Sequence, residues 1–248
     1  MKTINFKDFN LEINLTYFIN IIGLPASGKT TLLKMLINRI YSPNIYIDDI
    51  SIHEYDLGYK KQNVAVVFND FKFNTEYVKE ELLYYQEKLD TNKTNAYKKI
   101  DNFTRYFELN ELIEAKIEYL NKSEQALIKI LSLLIINPKV LGIDDLFTYL
   151  NINEKIKIIK YAKEKNISIL NVTTDSEDLL LGTHIIILNK FKLISYDTNK
   201  NILKNEKLLL ETGFDLPFII NISNGLNYYD ITKKTYYKNR DLVEDLWK

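Results

Sequence analysis

The residues best suited to chemistry lie in one glycine-rich segment, GLPASGKTT. It fits the pattern G-x-x-x-x-G-K-[ST], with Gly23, Gly28, Lys29 and Thr30 at the fixed positions. In such a loop the backbone N–H groups turn toward phosphates, the lysine reaches the β- and γ-phosphates, and the hydroxyl ligates Mg²⁺. The segment stands between an apolar run, FINII, and a helix-like run, LLKMLINRI, as this motif requires. We therefore predict a nucleotide-binding loop made of Gly23, Leu24, Pro25, Ala26, Ser27, Gly28, Lys29, Thr30 and Thr31.

A second candidate site residue ends an apolar stretch far downstream. The run KVLGIDD reads as a buried strand with Asp144 at its end and Asp145 next to it. An aspartate at the end of such a strand, in a chain with a phosphate-binding loop, is suited to hold Mg²⁺. We predict that Thr30 and Asp144 share the cation. Two solvated acids in an ordinary turn are the alternative.

The composition favours a globular protein without a strong electrostatic preference. The 248 residues, 46% of them hydrophobic, suffice for a core in one or two domains. Basic and acidic residues balance at 33 each, so nucleic acid is not expected as a partner. The absence of cysteine excludes disulfides and thiolate metal sites. The longest uncharged stretch, residues 13–28, is shorter than the roughly 20 apolar residues that span a bilayer, so we expect a soluble chain.

The elements that must position these residues alternate between strands and helices. Strands are predicted in TINF, LEINL, YFINIIG, NIYID, NVAVVF, KVLGIDD, ISILNV, HIIILNK and KLISY, and helices at 29–40 and 153–165. Apolar strands alternating with helices are typical of a parallel sheet covered on both faces. A helical pattern over 78–136 interrupts this alternation, as an inserted subdomain would. We predict a core at 1–77 and 137–200, a helical subdomain at 78–136 and an extension at 201–248.

With both motifs placed, the sequence resembles an ATP-binding cassette (ABC) ATPase, and more narrowly the ATP-binding subunits of energy-coupling factor (ECF) transporters. VAVVFND is similar to the family's Q-loop strand, and LNKSEQALIKILSLLIINPKVLGIDD to its signature helix and Walker B strand. VTTDSEDLLLGTHIIILNK resembles the switch-histidine region, and LLLETGFDLPF and RDLVEDLWK resemble the ECF tail, which generic ABC exporters lack. The resemblance implies an α/β P-loop NTPase of the ABC ATPase type, with a RecA-like parallel sheet core, N-terminal antiparallel strands, an inserted helical subdomain and a C-terminal extension.

The resemblance also implies roles in ligand binding for residues outside the loop. Asn69 falls on the Q-loop position and would touch Mg²⁺ together with Thr30 and Asp144. The signature segment of this chain is Asn121, Lys122, Ser123 and Glu124. In the family this segment holds the γ-phosphate of ATP bound to the opposite subunit. The cofactors implied are ATP and Mg²⁺.

At the catalytic positions the chain departs from the family. The general base, a glutamate in the family, falls on Asp145, whose carboxylate is set back by about 1.5 Å, and misplacement on that scale costs on the order of 10²-fold in rate. The switch histidine falls on Thr174, which cannot replace an imidazole, and the D-loop aspartate falls on Asn151. For the aromatic that stacks on adenine in the family, the candidates are Phe6 and Phe9. We therefore expect ATP binding with impaired hydrolysis.

The function implied is that of an ATP-binding subunit of an ECF-type importer for vitamins or metal ions. ABC subunits act as head-to-tail pairs, so we expect a heterodimer with a second, better-preserved ABC ATPase subunit. The family further implies an integral membrane coupling subunit, an exchangeable substrate-binding membrane subunit, and a peripheral location on the cytoplasmic face of the cell membrane.

Three alternatives remain open from the sequence. A non-transport, regulatory ABC pseudo-ATPase would keep the same fold but does not account for the ECF-like tail. A P-loop small-molecule kinase usually needs lid arginines, and residues 78–200 contain only Arg105. A structural protein with a vestigial loop would not bind ATP. We interpret His53 and His184 as surface or packing residues.

Overall fold

The centre of the molecule is a parallel sheet built from continuous apolar strands. The computed structural model describes residues 1–87 and 93–247. The strands are β1 (Thr3–Phe6), β2 (Leu11–Asn14), β3 (Phe18–Ile22), β4 (Ile45–Ile47), β5 (Ile50–Ser51), β6 (Val64–Val67), β7 (Val140–Asp144), β8 (Ser168–Val172), β9 (His184–Asn189) and β10 (Lys192–Thr198). The helices are α1 (Lys29–Leu36), α2 (Leu57–Asn63), α3 (Val78–Glu87), α4 (Lys93–Phe107), α5 (Lys122–Leu134), α6 (Ile152–Glu164), α7 (Asn199–Leu203), α8 (Glu206–Glu211), α9 (Phe218–Tyr228) and α10 (Asn239–Leu246).

The central sheet has the order β10-β9-β3-β8-β7-β6. Strands β9, β3, β8, β7 and β6 run parallel, and β10 is antiparallel to β9. Every residue of β3, β7 and β8 is buried, as expected for strands covered on both faces. The predicted α/β class is therefore confirmed. The carboxyl ends of β3, β6, β7 and β8 meet at one edge, which is where ligands bind in open α/β sheets.

A second, antiparallel sheet lies beside α1. Its order is β2-β1-β4-β5, with Phe6 opposite Leu11 and Ile4 opposite Ile47. Ile4, Phe6 and Leu11 share one buried cluster with Leu32 and Leu33 of α1. The N-terminal antiparallel strands expected from the sequence are thus present.

Helix α1 is shorter than predicted. It ends at Leu36 rather than near Ile40, and Asn38 takes a left-handed conformation with φ of 59°. Asparagine tolerates this conformation, which commonly terminates a helix. Leu36 is also the last residue of α1 that points into the core, and residues 38–40 are exposed. Apolar spacing alone therefore overestimated the length of α1.

Residues 78–136 are less uniformly helical than predicted. Helices α3, α4 and α5 account for part of the segment, while residues 108–121 form turns and a single 3₁₀ turn at Ile117–Tyr119. Glu108 begins this irregular stretch in a left-handed conformation. Leu82, Ile100 and Leu131 share one buried cluster with Ile143 and Ile169 of the sheet. The helical segment therefore packs directly on one face of the sheet.

The C-terminal extension packs on β9, toward the end of the sheet that is remote from β6. Ile202, Leu209 and Ile219 of α7, α8 and α9 share a buried cluster with Ile185 and Ile187 of β9. At the start of α9 the backbone N–H of Phe218 donates to Glu177 Oε1 at 2.6 Å, and Glu177 belongs to the 3₁₀ turn Ser176–Leu180. The extension is thus attached to the segment that carries Thr174.

A buried ion pair joins α3 to α5. Lys129 Nζ donates to Glu81 Oε1 at 2.6 Å, and the side chains are 5% and 0% exposed. Glu81 also accepts from the backbone N–H of Asn74 at 2.8 Å and from Thr75 Oγ1 at 3.3 Å. This carboxylate thereby holds residues 74–75, which follow Asn69, against the helix that begins at the signature segment.

Glu81→Gln should destabilise the protein by about 3–5 kcal/mol, because Lys129 would keep a buried charge without its counter-charge. Urea denaturation followed by circular dichroism measures the change. Glu81→Gln combined with Lys129→Met should regain most of the loss, since both charges are then gone. A single variant as stable as the wild type would contradict this account of the pair.

Candidate nucleotide-binding site

The glycine-rich loop connects β3 to α1 with almost no free space behind it. Gly23 has φ of 148°, and a Cβ there would lie 2.1 Å from the carbonyl oxygen of Leu188 in β9. Gly28 has φ of 104°, and a Cβ there would lie 2.9 Å from ring atoms of both Phe9 and Phe191. Glycine is required at both positions because a side chain meets steric conflict and unfavourable backbone geometry. The loop thus closes tightly over the end of β3.

One other position in the loop also has positive φ but is not glycine. Ala26 adopts φ of 60° and is exposed. A left-handed alanine is unfavourable by roughly 1–2 kcal/mol. The loop therefore keeps its shape at a small cost in stability.

Lys29 opens α1 and turns back over the loop. Its Nζ donates to the carbonyl oxygens of Gly23 at 2.7 Å and Leu24 at 3.0 Å, and to Ser27 Oγ at 3.3 Å. Burial lowers the pKa of Lys29, while attraction to Asp144 and Asp145 opposes this shift. The ammonium group is therefore close enough to be attracted by the carboxylates of both Asp144 and Asp145.

Thr30 and Asp144 come together although 114 residues separate them. Thr30 Oγ1 donates to Asp144 Oδ1 at 3.0 Å. Burial raises the pKa of Asp144, and the hydrogen bond from Thr30 opposes the shift. A hydroxyl and a carboxylate are the hard oxygen ligands that Mg²⁺ prefers. No cluster of three His, Cys, Asp or Glu side chains suited to a metal occurs among residues 1–87 and 93–247. Phosphate oxygens and water would therefore complete the coordination, as is usual for Mg²⁺.

Asn69 lies at the same edge of the sheet. It follows β6 by two residues, and the last residue of β6, Val67, is in register with Ile143 of β7. Asn69 is exposed and lines one concave surface with Lys122 and Tyr149. The Q-loop position and the start of the signature helix thus border a shared cleft.

Asp145 and Thr174 are hydrogen-bonded to each other. Thr174 Oγ1 donates to Asp145 Oδ1 at 2.9 Å. Asp145 has φ of 59°, and its backbone N–H donates to the carbonyl oxygen of Val172 at 2.8 Å. Because β7 and β8 are neighbours, the residues that follow them meet. The two residues that the resemblance assigns to the family's base and switch therefore lie side by side, and each short side chain contacts the other.

The signature segment forms the N-terminal cap of α5. Asn121 Oδ1 accepts from the backbone N–H of Glu124 at 3.0 Å, and Glu124 Oε2 accepts from the backbone N–H of Asn121 at 2.9 Å. This reciprocal arrangement is a capping box. Lys122 is exposed and Ser123 half-buried. The hydrogen bonds found for these four residues in the described part of the chain are local, so none joins them to the phosphate loop of the same chain.

The interpretation of Phe6 and Phe9 as adenine-stacking residues is wrong. Both side chains are 1% exposed, so neither offers a free face to a base. They lie in the buried cluster beneath the antiparallel sheet. The short β1–β2 connection directs Phe9 inward, which the sequence pattern did not reveal.

Two sets of contacts were not predicted from the sequence. Phe191, in the turn between β9 and β10, donates its backbone N–H to Ser27 O at 2.9 Å. Lys155 of α6 donates to Asp178 Oδ1 at 2.6 Å and to Asp175 Oδ2 at 3.3 Å. The two hydrogen bonds of Lys155 fix the segment around Thr174 to α6, the helix that follows Asn151. Neither pair has a local sequence signal, because both depend on contacts distant along the chain.

The two histidines make local contacts. His53 Nε2 is 2.8 Å from the carbonyl oxygen of Ser42, and His184 Nδ1 is 3.2 Å from Thr183 Oγ1. Neither has a hydrogen bond to the phosphate loop within the described ranges. In those ranges, too, no helix combines the length and the apolar character needed to cross a membrane.

A phosphate loop between a buried parallel strand and a helix, with a Thr–Asp pair at its edge, defines a P-loop nucleotide-binding protein. A family model described as ABC transporter matches residues 6–148, more than half of the chain. The chain therefore belongs to the ABC transporter family.

Curated relatives match over nearly the full length. The energy-coupling factor transporter ATP-binding protein EcfA1 of Mycoplasmopsis synoviae is 24% identical, with 98% of this chain and 92% of the relative covered. EcfA of Onion yellows phytoplasma is 24% identical, with 97% and 90% covered. The resemblance seen in the sequence motifs is thus supported by similarity along the whole chain.

Solved structures share the fold. The protein cbiO1 from Clostridium perfringens, part of the ABC transporter complex cbiONQ, aligns with a TM-score of 0.69 at 18% identity, covering 82% of this chain and 86% of that one. The ATP-binding cassette MJ0796, as a dimer bound to ADP and Pi, aligns with a TM-score of 0.66 at 20% identity, covering 77% and 89%. The predicted ABC ATPase fold is confirmed.

Substitutions at two loop positions should differ clearly in their effect on stability. Ala26→Gly should leave stability unchanged or raise it by up to about 1 kcal/mol. Glycine adopts positive φ without strain, which stabilises the folded state, but its greater freedom in the unfolded chain offsets part of this gain. Gly23→Ala should lower stability by about 2 kcal/mol or more and weaken nucleotide binding, because its Cβ would meet Leu188 O. Thermal denaturation and ATP titration of both variants provide the measurement. Equal effects of the two substitutions would contradict the assigned loop geometry.

Proposed function

We propose that this chain is the ATP-binding subunit of an ECF-type ABC importer and binds Mg-ATP with little hydrolysis of its own. The observation that carries the proposal is the intact phosphate loop beside a shortened catalytic pair. Gly23 and Gly28 leave no room for side chains in the loop, and Lys29 Nζ lies against the loop backbone, while Asp145 and Thr174 are hydrogen-bonded to each other.

Nucleotide binding rests on the loop and on the helix behind it. Backbone N–H groups at the start of α1, together with its dipole, favour phosphate, and Lys29 adds a cation. Thr30 and Asp144 would hold Mg²⁺, which neutralises charge on the phosphates when bound. Asn69, at the same edge of the sheet, would contribute its amide oxygen. The site would involve Gly23, Leu24, Pro25, Ala26, Ser27, Gly28, Lys29, Thr30 and Thr31.

Impaired hydrolysis follows from the reach of the side chains at the catalytic positions. A general base must come within hydrogen-bonding distance of the attacking water. The Asp145 carboxylate is one methylene shorter than a glutamate, and one of its oxygens already accepts from Thr174. Thr174 has no imidazole with which to contact the γ-phosphate. The pair therefore lacks both the reach and the chemistry of a glutamate and a histidine.

We further propose a head-to-tail heterodimer with a better-preserved ABC ATPase subunit. The phosphate loop of this chain would face the signature of the partner, and Asn121, Lys122, Ser123 and Glu124 would face ATP on the partner. Glu124 closes the start of α5 with a carboxylate, which disfavours a nearby phosphate, while Lys122 supplies a compensating charge. The partner would then carry most of the turnover, with ATP on this chain stabilising the closed dimer.

Attachment to membrane subunits is supported by relatives and by one surface of this chain. Relatives carry the name of energy-coupling factor transporters, and cbiO1 is part of the cbiONQ complex. A groove lies between the sheet and the helical segment, and the chain on either side of Asn69 contributes to it. Its lining includes Arg39, Phe68, Phe71, Tyr85 and Lys129. A membrane coupling subunit seated in this groove would place the chain peripherally on the cytoplasmic face of the membrane.

Asp145→Glu combined with Thr174→His should raise steady-state ATP hydrolysis by roughly ten- to a hundredfold, because both the base and the switch regain their reach. Phosphate release by the purified chain measures the rate, and ATP titration measures affinity. Lys29→Ala in the same background is the matched control and should abolish the gain along with binding. Rapid hydrolysis by the wild-type chain alone would refute the proposed impairment.

Phe71→Ser should reduce recovery of the chain with a co-expressed ECF coupling subunit, because the half-buried ring lines the groove. Recovery is measured by affinity purification from detergent-solubilised membranes, with ATP affinity as the check on folding. Tyr97→Ser, on the exposed side of α4, is the control and should leave recovery unchanged. Failure of the wild-type chain to associate with any coupling subunit would favour a regulatory, non-transport role.

A further inference from the structure

One short segment of the C-terminal extension contacts both the phosphate loop and the switch segment, residues 174–180. This short segment, residues 213–218, connects α8 to α9. Its Phe214 shares a buried cluster with Ile22, the last residue before the phosphate loop, and with Leu179 of the switch segment. The extension therefore packs against the polypeptide that leads into the loop and against the polypeptide that follows β8.

At the phosphate loop, the segment contacts Leu24. Gly213 has φ of 75°, and a Cβ there would lie 3.1 Å from Leu24 Cδ2. The carbonyl oxygen of the same leucine accepts from Lys29 Nζ at 3.0 Å and from the backbone N–H of Ser27 at 3.1 Å. Leu24 thus contacts the extension with its side chain and holds the lysine of the phosphate loop with its backbone.

At the switch segment, the contact is a hydrogen bond to the start of a helix. The backbone N–H of Phe218, the first residue of α9, donates to Glu177 Oε1 at 2.6 Å. Pro217, at the N-cap of α9, makes no side-chain capping bond. A carboxylate is favoured at a helix N-terminus because it satisfies a free N–H group and complements the helix dipole. Glu177 of the core therefore caps a helix of the extension.

Both contacts lie outside the apolar interface that attaches the extension to the sheet. Leu24 is 40% exposed and Glu177 is exposed as well, whereas Ile202 and Leu209 are buried in the cluster that includes β9. Surface contacts contribute little to stability. The contacts at Leu24 and Glu177 are therefore better suited to set the position of the segments that they touch than to hold the extension in place.

We propose that residues 213–218 position the phosphate loop through Leu24 and the switch segment through Glu177, so that nucleotide binding and the packing of the extension depend on each other. Gly213 and Glu177 are then positioning residues for the nucleotide site. This inference rests on the proposed nucleotide binding and adds its dependence on the extension. Because coupling between two sites is reciprocal, bound nucleotide should also stabilise the start of α9.

A double-mutant cycle tests the contact at the phosphate loop. The affinity for Mg-ATP is measured by calorimetry for the wild type, Gly213→Ala, Leu24→Ala and the double variant. Gly213→Ala introduces an unfavourable positive φ together with a Cβ against the Leu24 side chain. The backbone strain is the same in both backgrounds, so only the contact with Leu24 differs between them.

Gly213→Ala should weaken Mg-ATP binding about 5-fold or more while Leu24 is present, and by less than about 2-fold in the Leu24→Ala background. Gly225→Ala is the matched control, because it is the same substitution in α9 of the same extension and its Cβ would meet no atom within 4 Å. It should leave the affinity unchanged. Equal losses in the two backgrounds, or no loss in either, would overturn the proposed positioning.

Hydrogen exchange gives a second measurement that needs no substitution at Gly213. In the wild type, the Phe218 amide should exchange about 5- to 150-fold more slowly with Mg-ATP bound, the range typical of coupling between sites. Glu177→Ala removes the acceptor, so nucleotide should no longer slow this amide. The amides of α10 are the internal reference and should exchange equally in both states. A Phe218 amide that exchanges equally with and without nucleotide in the wild type would contradict the coupling.

Failure of this inference is distinguishable from failure of the proposed nucleotide binding. A wild-type chain that binds no Mg-ATP would refute the proposed function and this inference with it. A wild-type chain that binds Mg-ATP would refute this inference alone if Gly213→Ala acts equally in both backgrounds or if the Phe218 amide does not respond to nucleotide.

Discussion

The close contact between Gly23 and β9 is the constraint on which the site depends. No side chain fits between this residue and the carbonyl oxygen of Leu188, so the end of β3 turns sharply into the loop. The turn directs the start of α1 toward the edge where β6, β7 and β8 also end. Because those strands are parallel and adjacent, Asn69, Asp144 and Thr174 arrive at the same edge from distant parts of the chain. The phosphate loop and the residues Asn69, Asp144 and Thr174 therefore lie at one edge of the sheet.

The same edge holds residues suited to binding phosphates and the two short side chains that the resemblance assigns to catalytic positions. Lys29, Thr30 and Asp144 retain the charge and oxygen atoms suited to a nucleotide and its cation. Asp145 and Thr174 are close enough to bond with each other but are short. Binding needs groups near the phosphates, whereas hydrolysis needs a base that reaches a water beyond them. In the proposed function, the chain keeps the groups that binding needs and has shorter side chains at the positions that serve hydrolysis.

Charged and polar contacts connect this edge to the outer elements. Lys155 links α6 to Asp175 and Asp178, which lie on either side of Glu177 in the sequence. Glu177 in turn accepts from the first N–H of α9, so the C-terminal extension touches the segment next to Thr174. On the other side, Glu81 and Lys129 join the stretch after Asn69 to the signature helix. Hydrogen bonds and ion pairs thus link this edge of the sheet to both the extension and the helical segment.

The sequence by itself determined the parallel α/β core, the loop and Asp144, because these follow from short spacing patterns and continuous apolar strands. The family resemblance assigns Asp145 and Thr174 to catalytic positions, which stays a prediction, and their mutual hydrogen bond was not foreseen from the sequence. Tertiary structure alone decided that Phe9 is buried while Phe191 is exposed, that α1 stops at Leu36, and that Glu81 pairs with Lys129. These outcomes depend on which distant residues fill the space around each side chain. Local periodicity carries no information about that space.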